Sequence, residues 1–449
     1  MKELKQHYKN LIIGFGKGGK TLAAYLAKHG QEVALIERSD TMYGGTCINV
    51  ACIPTKSLIT NAEKHLPYPE AFQIKNDLIS FLRKKNYDNL EDQSLVTVIT
   101  GNASFVSSYE VRITISGKQI IVHADRIFIN TGTEPFIPDI RGINTSKRIF
   151  TSATLIEQPH RPKSLIIIGG GFIGLEFADM YAKFGSEVTL LDHGKIFLPK
   201  EDRDIADEIF KVMTEKKVTI ITEASVEGVI DTENGVIVHF RNKDGALVAL
   251  EGSVALVATG RRPNVDRLNL KAAGIEMDRR GFVKVNDKLQ TNVKNIWAIG
   301  DINGGPQFTY ISLDDFRIIR DQLFGGDYTS VTKRKAVATS VFITPPLAHI
   351  GLREKEAIEM GYKVKVAMLP ASAIPRARIL NDTRGVLKSV IDIETNKILG
   401  CTLFCVESSE MINIIQIAMN ADLDYYELRD AIFTHPSMTE AFNDLYASI

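Results

Sequence analysis

Two of the chain's four cysteines, Cys47 and Cys52, stand in the run Gly44-Gly45-Thr46-Cys47-Ile48-Asn49-Val50-Ala51-Cys52-Ile53-Pro54-Thr55-Lys56. Proline has no N–H to give and is tolerated in a helix only near its first turn. Pro54 therefore predicts a helix that opens near Cys52, with both cysteines at its N-terminal end. The positive end of the helix dipole favours a thiolate there. Lys56, four residues after Cys52 and on the same helical face, adds a second positive influence. Gly44 and Gly45 let the backbone approach a flat ligand closely, and Thr46 joins them to Cys47. Such a pair can cycle between dithiol and disulfide and so pass electrons on. The plainer alternative is an inert buried pair or a stabilising bridge.

Electrons must reach such a pair, and two segments are built to hold carriers. The first begins at Lys9: a short apolar strand, Leu11 to Ile13, runs into Gly14-x-Gly16-x-x-Gly19. A helix-compatible segment follows, then a second strand, Val33 to Ile36, closed by Glu37. Glycines at that spacing permit a tight turn and close backbone approach to a pyrophosphate at a helix N-terminus. Glu37, about 20 residues on, can accept hydrogen bonds from ribose hydroxyls. The pattern recurs as the strand Leu165 to Ile168, Gly169-x-Gly171-x-x-Gly174, a helix from about Phe172 to Phe184, and the strand Glu187 to Leu191, closed by Asp192. Two such units predict two dinucleotides, one held permanently and one exchanging. An acid at Asp192 favours the 2′-hydroxyl of NADH over the 2′-phosphate of NADPH, whereas His193 and Lys195 nearby soften that preference.

Composition narrows the partners. Lys+Arg and Asp+Glu balance at 54 each over 449 residues, which gives no electrostatic reason to expect nucleic acid or an anionic membrane. No apolar run reaches the roughly 18 residues of a spanning helix, and the polar first ten residues lack a secretory h-region, so a cytoplasmic protein is expected. Any disulfide in such a chain is expected to be catalytic rather than structural. No resident metal site is expected.

GGTCINVACIPTK is similar to the redox-active stretch of the flavoprotein disulfide reductases, the pyridine nucleotide-disulfide oxidoreductases that include glutathione reductase, lipoamide dehydrogenase and mercuric reductase. The likeness runs over nearly the whole chain. Asn130-Thr131-Gly132-Thr133 and Ala258-Thr259-Gly260-Arg261-Arg262-Pro263 resemble the family's two hinge-like glycine motifs, and Trp297-Ala298-Ile299-Gly300-Asp301 resembles its second FAD motif. The resemblance implies FAD as resident cofactor, NADH or NADPH as reductant, and Asp301 on the flavin's ribityl chain. It implies that Cys47 faces substrate and Cys52 faces flavin, with Lys56 near the reactive flavin nitrogen and paired with Glu176. Thr434-His435-Pro436-Ser437-Met438-Thr439-Glu440 is similar to the family's HPxxxE motif. There His435 would serve as acid/base for the attacking thiol of the other subunit, oriented by Glu440, which implies a homodimer with a shared active site. The family often carries a second histidine where this chain has Phe433.

Several stretches are closer to the reactive-chlorine-resistance and hypothiocyanous acid reductase branch: MYGGTCIN, QFTYISLDD, AIPRAR, NDTRGVLK and FTHPSM. They imply reduction of a small oxidant such as hypothiocyanous acid (HOSCN) in oxidative-stress defence, with Cu(II) reduction also associated with the branch. Hg(II), dihydrolipoamide and glutathione-type acceptors stay as alternatives. The C-terminus carries no vicinal cysteine pair of the mercuric reductase kind. Cys401 and Cys405 fall on one face of a probable strand, with alpha carbons more than about 12 Å apart, too far for a disulfide.

The expected fold is α/β: two Rossmann-like dinucleotide-binding domains for FAD and NAD(P), plus a C-terminal α+β dimerisation domain. The divisions fall at roughly 1–152 for the FAD domain, 153–275 for the NAD(P) domain, 276–332 for a segment returning to the flavin, and 333–449 for the interface domain. The polar stretch from Asn61 to Asn102 reads as helical, on the surface of the FAD domain.

Overall fold

A computed structural model describes residue 2 and residues 4–449. Its first sheet is built on the strand β1 (His7–Ile13), which begins earlier than its apolar core requires because alternation carries it: His7 and Lys9 face outward while Tyr8 and Asn10 are buried. The helix α1 (Lys17–Lys28) and the strand β2 (Val33–Glu37) complete the first unit, and β1 pairs with β2 in parallel. Ile12, Leu22, Leu26, Val33 and Leu35 pack on one face of the sheet. Leu11, Ile13, Ala34 and Ile36 pack on the other. Both faces are covered, so the strands read as unbroken apolar runs. Each fully buried Leu or Ile contributes about 2 kcal/mol of burial.

After the short turn α2 (Thr46–Asn49) come α3 (Cys52–Glu63) and α4 (Tyr68–Glu91). The stretch read as helical to Asn102 ends differently: Val96–Thr100 is a strand, β3, pairing in parallel with β2 at the sheet's edge. The sequence VTVIT is rich in β-branched residues, and the two strand faces that it offers outweigh the polar character of its surroundings. The strands β4 (Asn102–Phe105), β5 (Glu110–Ile115) and β6 (Lys118–Ile129) follow, and the end of β6 lies between β1 and the strand Ile296–Ala298.

The second unit repeats the pattern. Its strands run in the order 218–221, 187–191, 164–168, 254–257, 149–151, all parallel, with the helix Phe172–Lys183 following the glycine turn. A two-stranded antiparallel contact, Thr133–Pro135 with Arg261–Pro263, joins the two hinge-like motifs. The C-terminal part is a five-stranded antiparallel sheet covered by helices, among them Ser408–Asn420 and Ala441–Ala447. This is the mixed α/β architecture expected. Among the described residues no helix is long and apolar enough to cross a membrane.

Candidate active site

The two glycine turns use the same device. A Cβ on Gly14 would lie 2.4 Å from the Asn130 carbonyl oxygen, and one on Gly169 would lie 2.5 Å from that of Ala258. Each first glycine therefore admits the backbone of a hinge-like motif against its own strand, and both have positive φ, 104° and 117°. Asn130 is the hub of the first turn. Its side-chain N–H donates to the Ile299 carbonyl at 2.6 Å, and its Oδ1 accepts from the Gly19 N–H at 2.9 Å. One buried amide thus ties the glycine turn to the Trp297–Asp301 segment. Gly300 is held separately, its N–H donating to Asp315 at 2.7 Å.

Between these elements lies a cavity of about 1500 Å³. Gly14, Gly16, Glu37, Gly45, Thr46, Cys47, Cys52, Lys56, Thr131, Gly132, Asp301 and Glu176 all line it, so the chain brings these sequence-predicted residues together from distant segments. Gly19 lies behind it under Asn130, while Gly169, Gly171, Gly174, Gly260 and Asp192 do not line it; Gly169, Gly171 and Gly174 form the turn that opens the helix Phe172–Lys183. A Cβ on Gly171 or Gly260 would meet nothing within 4 Å. Asp192 accepts from the Gly194 N–H at 3.1 Å and lies against Gly170, where a Cβ would come within 2.6 Å of its carboxyl carbon.

The cavity wall fits a flavin dinucleotide. Glu37 closes β2 with its carboxylate accepting from the Phe15 N–H at 3.1 Å, and burial raises its pKa above the usual carboxylate value. Asp301, also raised by burial, accepts from the Thr133 hydroxyl at 3.0 Å. The hydroxyl of Thr131 is buried without a partner among the described residues, a polar atom aimed at something the protein does not itself supply.

Cys47 sits in α2 and Cys52 opens α3, with Pro54 in that helix's first turn as its chemistry requires. Both are thiols in this structure. Cys47 is half-buried, whereas Cys52 is exposed onto the cavity although protein surrounds it. The Cys52 S–H donates to Cys47, and this above all brings Cys47 down to about 6; the Thr309 hydroxyl, Lys20 and Lys56 assist, against burial. Cys52 is pushed up by donating that bond and by lying, largely desolvated, beside a thiolate. One proton is shared by two sulfurs, and the pair is charged at neutral pH.

Lys56 donates to both carboxylate oxygens of Glu176, at 2.8 and 2.7 Å, and lies over the Phe342 ring. Glu176 also accepts from the Phe342 N–H at 2.9 Å, so the pair binds three segments at one point. With side chains 31% and 11% exposed, it is partly screened by water. Glu176→Ala leaves an ammonium and a backbone N–H without their acceptor. We expect a loss of about 1–2 kcal/mol, read as a lower urea midpoint. An unchanged midpoint would show that water replaces the carboxylate fully.

His435 and Glu440 do not line the cavity. Glu440 holds His435 Nδ1 at 2.7 Å, and the imidazole is 72% exposed. Phe433 packs against Phe442, with ring centroids 6.1 Å apart, which gives that departure from the family pattern a packing role. Cys401 and Cys405 are buried in the interface-domain core, and burial raises both, Cys401 to about 12.

Sequence reasoning did not assign Thr309, Arg261 or Phe342 to the site. Thr309 contacts the Cys52 sulfur at 3.9 Å, and Arg261 donates to the Thr133 hydroxyl at 2.8 Å and its carbonyl at 2.7 Å. Thr309 and Arg261 lie in stretches that carried a resemblance, QFTYISLDD and the second hinge motif, but nothing local gives them a role.

The pyridine nucleotide-disulphide oxidoreductase family matches residues 8–315, and its dimerisation domain matches residues 337–446. The chain is 49% identical to the probable pyridine nucleotide-disulfide oxidoreductase RclA of Escherichia coli, over 98% of this chain and 99% of that one. It is 33% identical to a mercuric reductase of Lysinibacillus sphaericus, over 97% of this chain and 81% of that one. Among solved structures it resembles the Cu(II) complex of a cysteine-to-serine mutant of the HOCl-induced flavoprotein disulfide reductase RclA from Escherichia coli. That match has a TM-score of 0.96 at 48% identity and covers 99% of this chain and 100% of the other.

Proposed function

This chain belongs to the pyridine nucleotide-disulphide oxidoreductase family, and we propose that it reduces hypothiocyanous acid or a related small oxidant at the expense of NADH. In this reading residues 1–152 and 276–332 hold FAD, residues 153–275 hold the nicotinamide nucleotide, and residues 333–449 join two copies in the cytoplasm. The observation that carries it is the placing of the Cys47–Cys52 pair on the wall of the large cavity, beside the Lys56–Glu176 pair, with the Cys47 thiol held below its usual pKa chiefly by Cys52.

FAD, when bound, supplies the electron pair that opens a Cys47–Cys52 disulfide. The remaining steps belong to the chain. The Cys47 thiolate attacks the sulfur of HOSCN, the S–O bond breaks, and the departing hydroxide takes a proton to leave as water. Cys47 then carries a sulfenyl thiocyanate. Cys52, deprotonated, attacks the Cys47 sulfur and expels thiocyanate, which restores the disulfide. With NADH as reductant the sum is HOSCN + NADH → SCN⁻ + H₂O + NAD⁺. His435 of the other subunit, held by Glu440, moves the protons. A second reading is reduction of Cu(II) at the same thiols, favoured by the relative whose structure is a Cu(II) complex.

Stopped-flow NADH consumption with HOSCN, Cu(II), Hg(II), oxidised glutathione and lipoamide separates these. Turnover fastest with HOSCN supports the reading, and a metal ion or a disulfide turning over faster replaces it. Reductant choice has its own test. Asp192→Ala removes the ribose acceptor and the repulsion of a 2′-phosphate, so the NADH:NADPH ratio of kcat/KM should fall by about tenfold or more. An unmoved ratio would take Asp192 out of the selection.

A further inference from the structure

The two hinge-like motifs meet in a strand pair whose register sorts their side chains. Arg262 stands opposite Glu134, and Pro263 stands opposite Thr133. Successive residues of a strand point to opposite faces, so Arg261 lies on the other face from Arg262, the face that Thr133 shares. Arg262 turns outward and pairs with Glu134 at 2.6 Å and Asp266 at 3.0 Å. Arg261 turns inward and lines the large cavity. It donates Nε–H to the Thr133 hydroxyl at 2.8 Å and a terminal N–H to the Thr133 carbonyl at 2.7 Å. Thr133 is only 4% exposed, so its hydroxyl has no bulk water to turn to. A hydroxyl carries one proton, and a guanidinium only donates. With Nε–H already directed into its oxygen, the Thr133 proton goes to the other side, where Asp301 Oδ2 accepts it at 3.0 Å. Asp301 also lines the cavity, and two residues before Thr133 the buried Thr131 hydroxyl has no partner among the described residues.

We propose that Arg261 is a positioning residue for the flavin: by fixing the Thr133 hydroxyl it fixes the Asp301 carboxylate on the cavity wall. The proposal rests on the reading above that this cavity holds FAD. The backbone before Asp301 is pinned separately, through the Gly300 N–H on Asp315, so the direction of the Asp301 side chain is left to Thr133. A carboxylate is a rigid plane, and holding one oxygen limits where the other can point. Without Arg261 the Thr133 hydroxyl is free to rotate, and Asp301 loses a donor fixed in direction. Burial raises Asp301 above the usual carboxylate value, and the Thr133 bond and the Arg261 charge work against that rise. Arg261 reaches this point from the second dinucleotide unit. Its motif begins at Ala258, whose carbonyl packs against Gly169, so one short segment touches the second glycine turn at one end and the flavin wall at the other.

The test is the rate at which FAD leaves the FAD-loaded enzyme, followed as the rise of free-flavin fluorescence on dilution, which requires no turnover. Thr133→Val keeps the side chain's shape and removes its hydroxyl, and release should quicken by about tenfold. Thr133→Ser restores the hydroxyl and should return release to near the wild-type rate. Arg261→Met should quicken release by about fivefold. Added to Thr133→Val it should quicken release no further, because the hydroxyl through which it acts is gone. Arg262→Met breaks the outward ion pair on the same strand and should leave release at the wild-type rate. Wild-type release in Arg261→Met, effects of Arg261→Met and Thr133→Val that multiply in the double variant, or an equal quickening in Arg262→Met would each overturn the proposal with FAD still bound. A wild-type chain that takes up no FAD would overturn the cofactor reading together with it.

Discussion

Serine at position 47 is expected to lower acceptor reduction by about a thousandfold or more, with FAD still bound. A serine hydroxyl does not ionise near neutral pH and cannot replace the thiolate that sits at about 6 in the native pair. The consequence for Cys52 is more specific. Its thiol is raised by donating to Cys47, by burial and by lying beside that charge, while Lys56 and Thr309 pull the other way. Without the Cys47 thiolate those two lowering influences remain, so Cys52 should ionise at a lower pH in Cys47→Ser than in the reduced native enzyme. Its thiolate should then be visible as a long-wavelength flavin band. Cys52→Ser should lose turnover equally without that band, because the remaining sulfur faces away from the flavin in our assignment. NADH-driven HOSCN reduction within tenfold of wild type in Cys47→Ser would remove the thiol mechanism.

In a mixed dimer of one Cys47→Ser chain and one His435→Ala chain, about half of the wild-type activity per dimer should return. Each homodimer should lack it, with His435→Ala down by about a hundredfold. His435 is exposed, its Nδ1 is occupied by Glu440, and its Nε2 makes no hydrogen bond among the described residues. Neither His435 nor Glu440 reaches the cavity that contains the cysteines of the same chain. Ile432 and Ile417, fully or largely exposed in the dimerisation domain, mark surface that a second copy would cover. If sites are built across subunits, the mixed dimer has one site with both lesions and one with none. If each site uses its own histidine, both sites are damaged and no activity returns.

What consecutive residues determine was open to reading. The glycine spacings, the acids that close Val33–Glu37 and Glu187–Leu191, and Pro54 in a first turn are local constraints, each imposed by φ, a missing N–H or a helix terminus. They placed two dinucleotide units and a cysteine pair in order along the chain. Resemblance of longer motifs supplied the Lys56–Glu176 pair, which the fold closes at 2.7 Å across 120 residues. The strand Val96–Thr100 was misread as helical because its partner, β2, lies outside any local window, and a sheet edge is decided by pairing rather than propensity. Part of the electrostatics of the thiols belongs to the tertiary structure. Thr309 lies 257 residues from Cys52, and Lys20, on α1, reaches the Gly44 carbonyl of the redox stretch through its ammonium. Charge acts through distance and the exclusion of water, and neither is a property of neighbouring residues in a chain. Sequence alone could therefore single out the two sulfurs, whereas folding assembled the distant groups that act on their charge.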